Sequence, residues 1–312
     1  LSLFNNRLRM TADYYRKKTT DLLNNVEMPR SSGYTTALRN IGSIRNSGFE
    51  LQLDGRIIDR AVKWDLGVNF SLNRSKVLVL SEDKDIFGGE LDNTILKDQL
   101  NLMRVGEPMY VFYGYVEDGY DENGHIVYKN MDDDPAITAA DKTIIGDPNP
   151  DFLVNLTTAV SYKGFTLSAF FQSSIGNDIY SLSMAAQAYD YGYNGNTLRE
   201  VYYNHWTPEN PTAKYPNLDQ TSYKMSDRFV YDGSFVRLKN LELAYDVPCA
   251  RSKFIKRARV YVSAQNLFTI TSYPFWDPDI NANGGGSSMI QGVDSYCYPS
   301  ARTYTIGCRL TF

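Results

Sequence analysis

The chain has 312 residues, 43% of them hydrophobic, with a formal net charge of −4 and a mean hydropathy of −0.38. No stretch approaches the ~20 consecutive apolar residues of a spanning helix, and no long basic run supports nucleic-acid binding. His125, His205 and three cysteines at no zinc spacing (Cys249, Cys297, Cys308) leave little material for histidine catalysis or a metal centre.

The aromatic load is 24 Tyr, 15 Phe and 3 Trp, which suits membrane-interface girdles or a sugar- or peptide-binding surface. Barrel strands alternate apolar and polar residues and barely register on hydropathy, so a membrane location stays open. The N-terminus, Leu1-Ser2-Leu3-Phe4, has no initiator Met or signal peptide and runs at once into strand-like sequence, which reads as a piece of something longer.

In chain order, Leu8, Met10, Ala12 and Tyr14 alternate with Arg7, Arg9, Thr11 and Asp13, the period of two expected of a strand. A long connection is expected over 19–47. Phe49, Leu51, Leu53 and Ile57 then oppose Glu50, Gln52, Asp54 and Arg56, and a tight turn follows at Asp59-Arg60-Ala61. Trp64, Leu66, Val68, Phe70 and Leu72 make the next apolar face.

A long connection is expected over 119–150, and it carries Asn130, Asp132, Asp134 and Asp141 at positions one, three, five and twelve of a D-x-D-x-D-G calcium loop. Pro135 replaces the turn glycine and Asp141 the usual Glu, so a solvated acidic loop is the preferred reading over a Ca2+ site.

Two strands, Phe152 to Val160 and Phe165 to Phe171, flank a turn at Tyr162-Lys163-Gly164. The connection over 177–233 is rich in aromatics, among them Tyr189, Tyr191, Tyr193 and Trp206. These are candidates for stacking on a substrate, with packing within the loop as the alternative.

From Ser234 to Tyr245 the alternation slips between Leu238 and Leu241, which predicts a bulge. Ala258, Val260, Val262 and Ala264 form another face, and the connection over 271–300 adds Trp276 as a further candidate contact. The last strand, Ala301 to Phe312, alternates strictly and ends on Phe.

Most of these runs are ten residues or more. A tilted spanning strand needs ~9–11 residues, whereas soluble strands are usually ~5–6. Short and long connections alternate as periplasmic turns and extracellular loops do. Counted back from a periplasmic C-terminus, strand directions alternate until about residue 109, where parity asks for one more strand; Ile95 to Arg104 is expected to supply it.

The expectation is an all-β, antiparallel transmembrane barrel contribution of about ten strands. The carboxylates Glu50, Asp54 and Asp65 sit among Arg and Lys on the polar face, and Gly-x-Ser-x-Gly and His-Glu-x-x-His are absent, so an enzyme is not expected.

Several segments together resemble the C-terminal third of SusC/RagA-type TonB-dependent transporters of Bacteroidota. They are Asn5-Asn6-Arg7 with Ala12-Asp13-Tyr14-Tyr15, Asn40-Ile41-Gly42-Ser43 with Asn46-Ser47-Gly48-Phe49-Glu50, and Val111-Phe112-Tyr113-Gly114-Tyr115. Ile145 to Phe152, Asp232 to Asn240, Val260 to Phe268 and Tyr298 to Thr303 continue the likeness over the whole chain.

The resemblance implies that residues 1–312 are the C-terminal strands of a 22-stranded outer-membrane barrel, with the plug and earlier strands elsewhere. It also implies import of oligosaccharides or peptides, a SusD-like surface lipoprotein as partner, and energy from TonB-ExbB-ExbD reached through the missing N-terminal region. The competing readings are a soluble, aromatic-rich β-sandwich that binds carbohydrate, and a passive porin.

Overall fold

In a computed structural model the described residues are 1–27, 31, 33, 36–81, 84–92, 96–189, 196–249, 254–280 and 290–312. Eight long strands form one antiparallel sheet: β1 (Leu8–Glu27), β2 (Thr36–Asp59), β3 (Val62–Leu80), β4 (Phe152–Tyr162), β5 (Phe165–Ile175), β6 (Phe235–Val247), β7 (Arg257–Thr271) and β8 (Thr303–Thr311). They pair in chain order, and Ser2–Leu3 adds a ninth, two-residue member against β1.

The register joins the apolar faces predicted strand by strand into one belt. Ala12 lies opposite Leu51, Leu51 opposite Phe70, and Phe70 opposite Val154. On the other side Val160 faces Leu167, Leu167 faces Leu243, Leu243 faces Val262, and Val262 faces Ile306. Among the described residues no second sheet covers this belt, and Leu167, Leu243, Val262 and Ile306 stay about half exposed or more.

On β3 the belt runs from Trp64 to Leu72, eight steps of ~3.4 Å, or roughly 21 Å of height at ~40° of tilt. That matches the ~25 Å apolar band of an outer-membrane barrel. Aromatics mark both margins, with Phe165 packed on Tyr245 at 4.5 Å near the turns and Phe70 on Phe152 at 5.8 Å toward the other end. The sheet is an arc of barrel wall, and a sandwich is excluded by its uncovered apolar face.

The turns are short where expected. Lys163 and Gly164 have φ of +48° and +85°, the left-handed pair of a two-residue hairpin. The predicted slip in β6 is a bulge: Leu238 faces Phe268, but Asn240 faces Gln265, so Asn266 and Leu267 oppose Lys239 alone. Asn266 takes φ +51° there.

Two expectations are corrected. The segment 19–47 is mostly strand, since β1 and β2 stay paired as far as Glu27 and Thr36. The strand sought at Ile95 to Arg104 is not in the wall, because β3 pairs directly with β4. With no strand between β3 and β4, strand directions alternate through the wall without the added one.

The connections 81–151, 176–234 and 272–302 instead build a cap beyond the long-loop end of the wall. Ile86–Phe87, Asn101–Met103, Val111–Gly114 and Thr143–Gly146 make a four-stranded sheet. Glu117–Tyr120 and Ile126–Tyr128 make a hairpin, and Val230–Asp232, Asp178–Ser181 and Val293–Asp294 a three-stranded sheet.

Two short helices, α1 (Leu182–Tyr189) and α2 (Arg199–Tyr203), complete the cap. α1 is buried on nearly every side, as its apolar and small residues allow. One hydrophobic core, including Leu100, Phe112, Tyr180, Ala185, Met225, Phe229 and Val293, draws on all three connections. A smaller cluster of Ile44, Val77, Leu80 and Met103 fixes the cap to the inner face of β2 and β3.

Candidate functional site

A polar space lies along the face of the wall to which the cap is pinned. Its floor is the polar face of the strands: Thr11, Glu50, Gln52, Asn69 and Asn155 line one hollow. An open cavity of about 620 Å3 nearer the turns is lined by Arg7, Arg9, Asp54, Arg56 and Asp65 among others.

The carboxylates there are engaged. Arg56 pairs with Asp65 at 2.8 Å, and Gln52 donates to Asp54 at 2.7 Å. Such a surface holds water and polar solutes, and it aligns no nucleophile with a base.

Above it the cap is held by buried polar links. Arg237 is 1% exposed, donates to Thr269 Oγ1 at 2.9 Å and to Ser300 Oγ at 3.2 Å, and forms an ion pair with Asp277. Burial disfavours the Asp277 charge, but N–H bonds from Ser300 and Asp279, with Arg237, hold its carboxyl below the usual range.

Tyr273 donates to Asp294 at 2.6 Å and accepts from the Ser181 hydroxyl at 2.8 Å, tying the same connection to the three-stranded sheet. Arg228 is half-buried against Glu117, which also accepts from Ser226 Oγ at 2.6 Å. Burial weakens the Arg228 charge, yet the Glu117 bond raises its pKa overall.

The predicted contact residues fare differently. Tyr189 is 4% exposed, with its ring stacked on Tyr223 at 3.7 Å and edge-on to Phe229, so it is a core residue and not a stacking platform. Trp206 lies partly buried against Gly124, where an added Cβ would come within 2.2 Å of the indole. Trp276 is 59% exposed and stacks on Phe275 at 4.8 Å, so it remains open to a ligand. Tyr191 and Tyr193 lie outside the described residues.

The neighbouring pair Tyr202 and Tyr203 of the same aromatic-rich connection is 62% and 64% exposed on α2. Sequence alone has no signal that separates these two from the buried Tyr180 and Tyr215.

The acidic loop is built from turns. Asn130 Oδ1 accepts the Asp132 N–H at 3.0 Å, Asp132 Oδ1 that of Asp134 at 2.9 Å, and Asp134 Oδ1 that of Ala136 at 3.0 Å. Asp141 is enclosed and accepts from the N–H groups of Met131 and Thr138, both at 2.7 Å, which hold its carboxyl below the usual range. Asn130, Asp132, Asp134 and Asp141 thus serve the backbone, and among the described residues no three acidic, His or Cys groups gather as a metal would need.

The wall and its cap are matched by known proteins over their whole extent. A family model described as TonB dependent receptor-like, beta-barrel, covers residues 1–267. The chain belongs to the TonB-dependent receptor family.

TonB-dependent receptor P3 of Formosa agariphila is 33% identical across all of this chain and 33% of its own length. TonB-dependent receptor SusC of Bacteroides thetaiotaomicron is 29% identical over 99% of this chain and 30% of its own. The solved RagAB peptide transporter superposes with a TM-score of 0.82 at 28% identity, over all of this chain and 34% of that one. The chain spans about a third of the length of the curated relatives it matches. This TonB-dependent receptor wall is of the SusC/RagA type, and its place is the bacterial outer membrane.

Proposed function

We propose that residues 1–312 are the C-terminal wall and cap of an active outer-membrane importer of oligosaccharides or peptides, and that they catalyse no reaction themselves. The importer works with a SusD-like lipoprotein and takes its energy from TonB-ExbB-ExbD through parts of the protein that precede these residues. The observation that carries this reading is the cap: three separate connections share one core and are pinned to the inner face of β2 and β3 through Ile44 and Val77. A fixed cap of this kind extends the wall into a vestibule with a polar floor, which suits capture of a large polar solute. The open aromatics Trp276, Tyr202 and Tyr203 suit sugar faces or peptide side chains.

The test is uptake of labelled oligosaccharides and peptides by cells carrying the full-length protein, with and without a functional TonB system. Uptake that requires both the protein and TonB is expected. Uptake that persists undiminished without TonB overturns the reading in favour of a passive porin. Pull-down of the full-length protein from outer membranes is expected to bring a surface lipoprotein with it.

A further inference from the structure

The outer face of β1–β3 changes abruptly above the apolar belt. On β1 the outward positions run Leu8, Met10, Ala12 and Tyr14, then Arg16 and Lys18. On β2 they run Leu53, Leu51 and Phe49, then Ser47 and Arg45; on β3, Val68, Phe70 and Leu72, then Arg74 and Lys76.

The register lines these up. Tyr14, Phe49 and Leu72 form the last apolar row; Arg16, Ser47 and Arg74 form the next; Lys18, Arg45 and Lys76 the one after. The opposite face confirms the orientation, since Tyr15 reaches Asn73 at 3.1 Å, Ser75 accepts the Met109 N–H at 3.1 Å, and Ile44 and Val77 are buried under the cap.

Strands ~4.8 Å apart and side-chain rows ~7 Å apart put five cations within roughly 10 by 7 Å. Arg74 pairs with Asp151 at 2.6 Å. The side chains of Arg16, Lys18, Arg45 and Lys76 make no ion pair or hydrogen bond among the described residues. Like charges set opposite one another across a sheet repel, so this arrangement favours an anion held between the rows.

The patch is local. Along the ladder β4 begins at Phe152, and it and its partner Ile175 on β5 carry no cation beside the end of the β3 belt. The height is equally specific, because both rows stand within two side-chain steps of the end of the belt, where lipid headgroups lie.

We propose that Arg16, Lys18, Arg45, Arg74 and Lys76, with the Ser47 hydroxyl, form a binding site for a phosphorylated lipid headgroup of the outer leaflet. The acyl chains lie down the Tyr14–Phe49–Leu72 row and the belt below it. The arginine forks suit phosphate oxygens bidentately, and the lysines add point charges. The site rests on the membrane placement of the belt and is independent of what the importer carries.

The experiment uses the full-length protein purified from outer membranes in mild detergent. Binding of diphosphoryl lipid A, enzymatically dephosphorylated lipid A and inorganic phosphate is measured for wild type and for a Lys18→Gln/Arg45→Gln/Lys76→Gln variant. Each preparation is first checked for the heat-modifiable gel shift of a folded barrel, so loss of the barrel or its membrane placement is separated from loss of the site. A Lys18→Gln/Lys76→Gln variant replaces the triple if that does not fold.

At about 1 kcal/mol per cation near an anionic surface, the triple variant is expected to bind diphosphoryl lipid A about 100-fold more weakly. Dephosphorylated lipid A is expected to bind wild type no better than that. Equal affinity of folded wild type and variant for diphosphoryl lipid A overturns the proposal. So does equal affinity of wild type for the two lipids, inorganic phosphate binding as tightly as the lipid, or a variant that loses only a co-purifying acidic protein.

Discussion

Replacing Arg237 with Met tests whether one buried ion pair holds the 272–300 connection in the cap. The guanidinium is 1% exposed and bridges β6 to that connection through Asp277, Asp279 and Ser300. Removing it leaves the Asp277 carboxylate, 6% exposed, with only the N–H groups of Ser300 at 2.9 Å and Asp279 at 3.0 Å.

Breaking one side of a buried pair costs about 3–5 kcal/mol, so local opening rises at least ~100-fold. The assay is limited proteolysis of the folded full-length protein, with cleavage sites within 272–300 followed by mass spectrometry and the barrel checked by heat modifiability. The Asp277 pKa is depressed in the folded state. Its contribution is therefore present above the ordinary carboxylate value of about 3.9 and is lost as the pH falls through the depressed one. The gap between wild type and Arg237→Met should close only in strong acid. Cleavage of Arg237→Met at the wild-type rate at neutral pH refutes the reasoning.

Tyr189→Ala is expected to cost the cap about 3–5 kcal/mol by opening a cavity beside Tyr223 and Phe229, seen as faster proteolysis of the whole cap; a folded cap with weakened substrate binding would instead restore Tyr189 as a contact residue. Gly124→Val should displace the Trp206 indole and shift its fluorescence, because Gly124 has φ +80° and its Cβ position lies 2.2 Å from that ring. EDTA should leave the melting temperature unchanged while Asp141→Ala lowers it; a melting shift that depends on calcium would refute the turn-based account of the loop. Burial, with Asp147, Asp232 and Asp151 nearby, raises the Asp178 pKa, so its charge is penalised above that pKa. Asp178→Asn should thus raise the melting temperature at neutral pH and match wild type once acid protonates Asp178.

The wall was legible because each strand separates two solvents, and a period of two is what that demands. Trp64 to Leu72 and Tyr304 to Leu310 could be assigned to faces directly, and the interruption at Leu238 marked the bulge at Lys239. Legibility ended where the two-solvent constraint ends. Beyond Tyr14 the sequence Arg16-Lys17-Lys18-Thr19-Thr20 has polar surroundings on both sides, so β1 continues without alternation and reads as a loop.

The cap was illegible for a different reason. Its strands are two to four residues long, too short to show a period, and their partners come from other connections. Tyr189 and Tyr202 look alike in sequence, and only packing from Met225, Phe229 and Val293, distant in the chain, separates core from surface. The acidic loop reads two ways because Asx turns and calcium loops call on the same alternating Asp and Asn.

Wall and cap depend on each other in a way that neither pattern shows alone. The wall has no core of its own: one face is lipid-exposed belt, the other a polar floor, and its cohesion is the hydrogen-bonded ladder and the bilayer. The cap has a core but no continuous chain, since its three contributing segments are brought together only where β3, β5 and β7 deliver them. Residues such as Val77, Arg237 and Tyr273, which contact both parts, therefore matter beyond their own contacts. Losing one frees a cap segment from the wall that positions it.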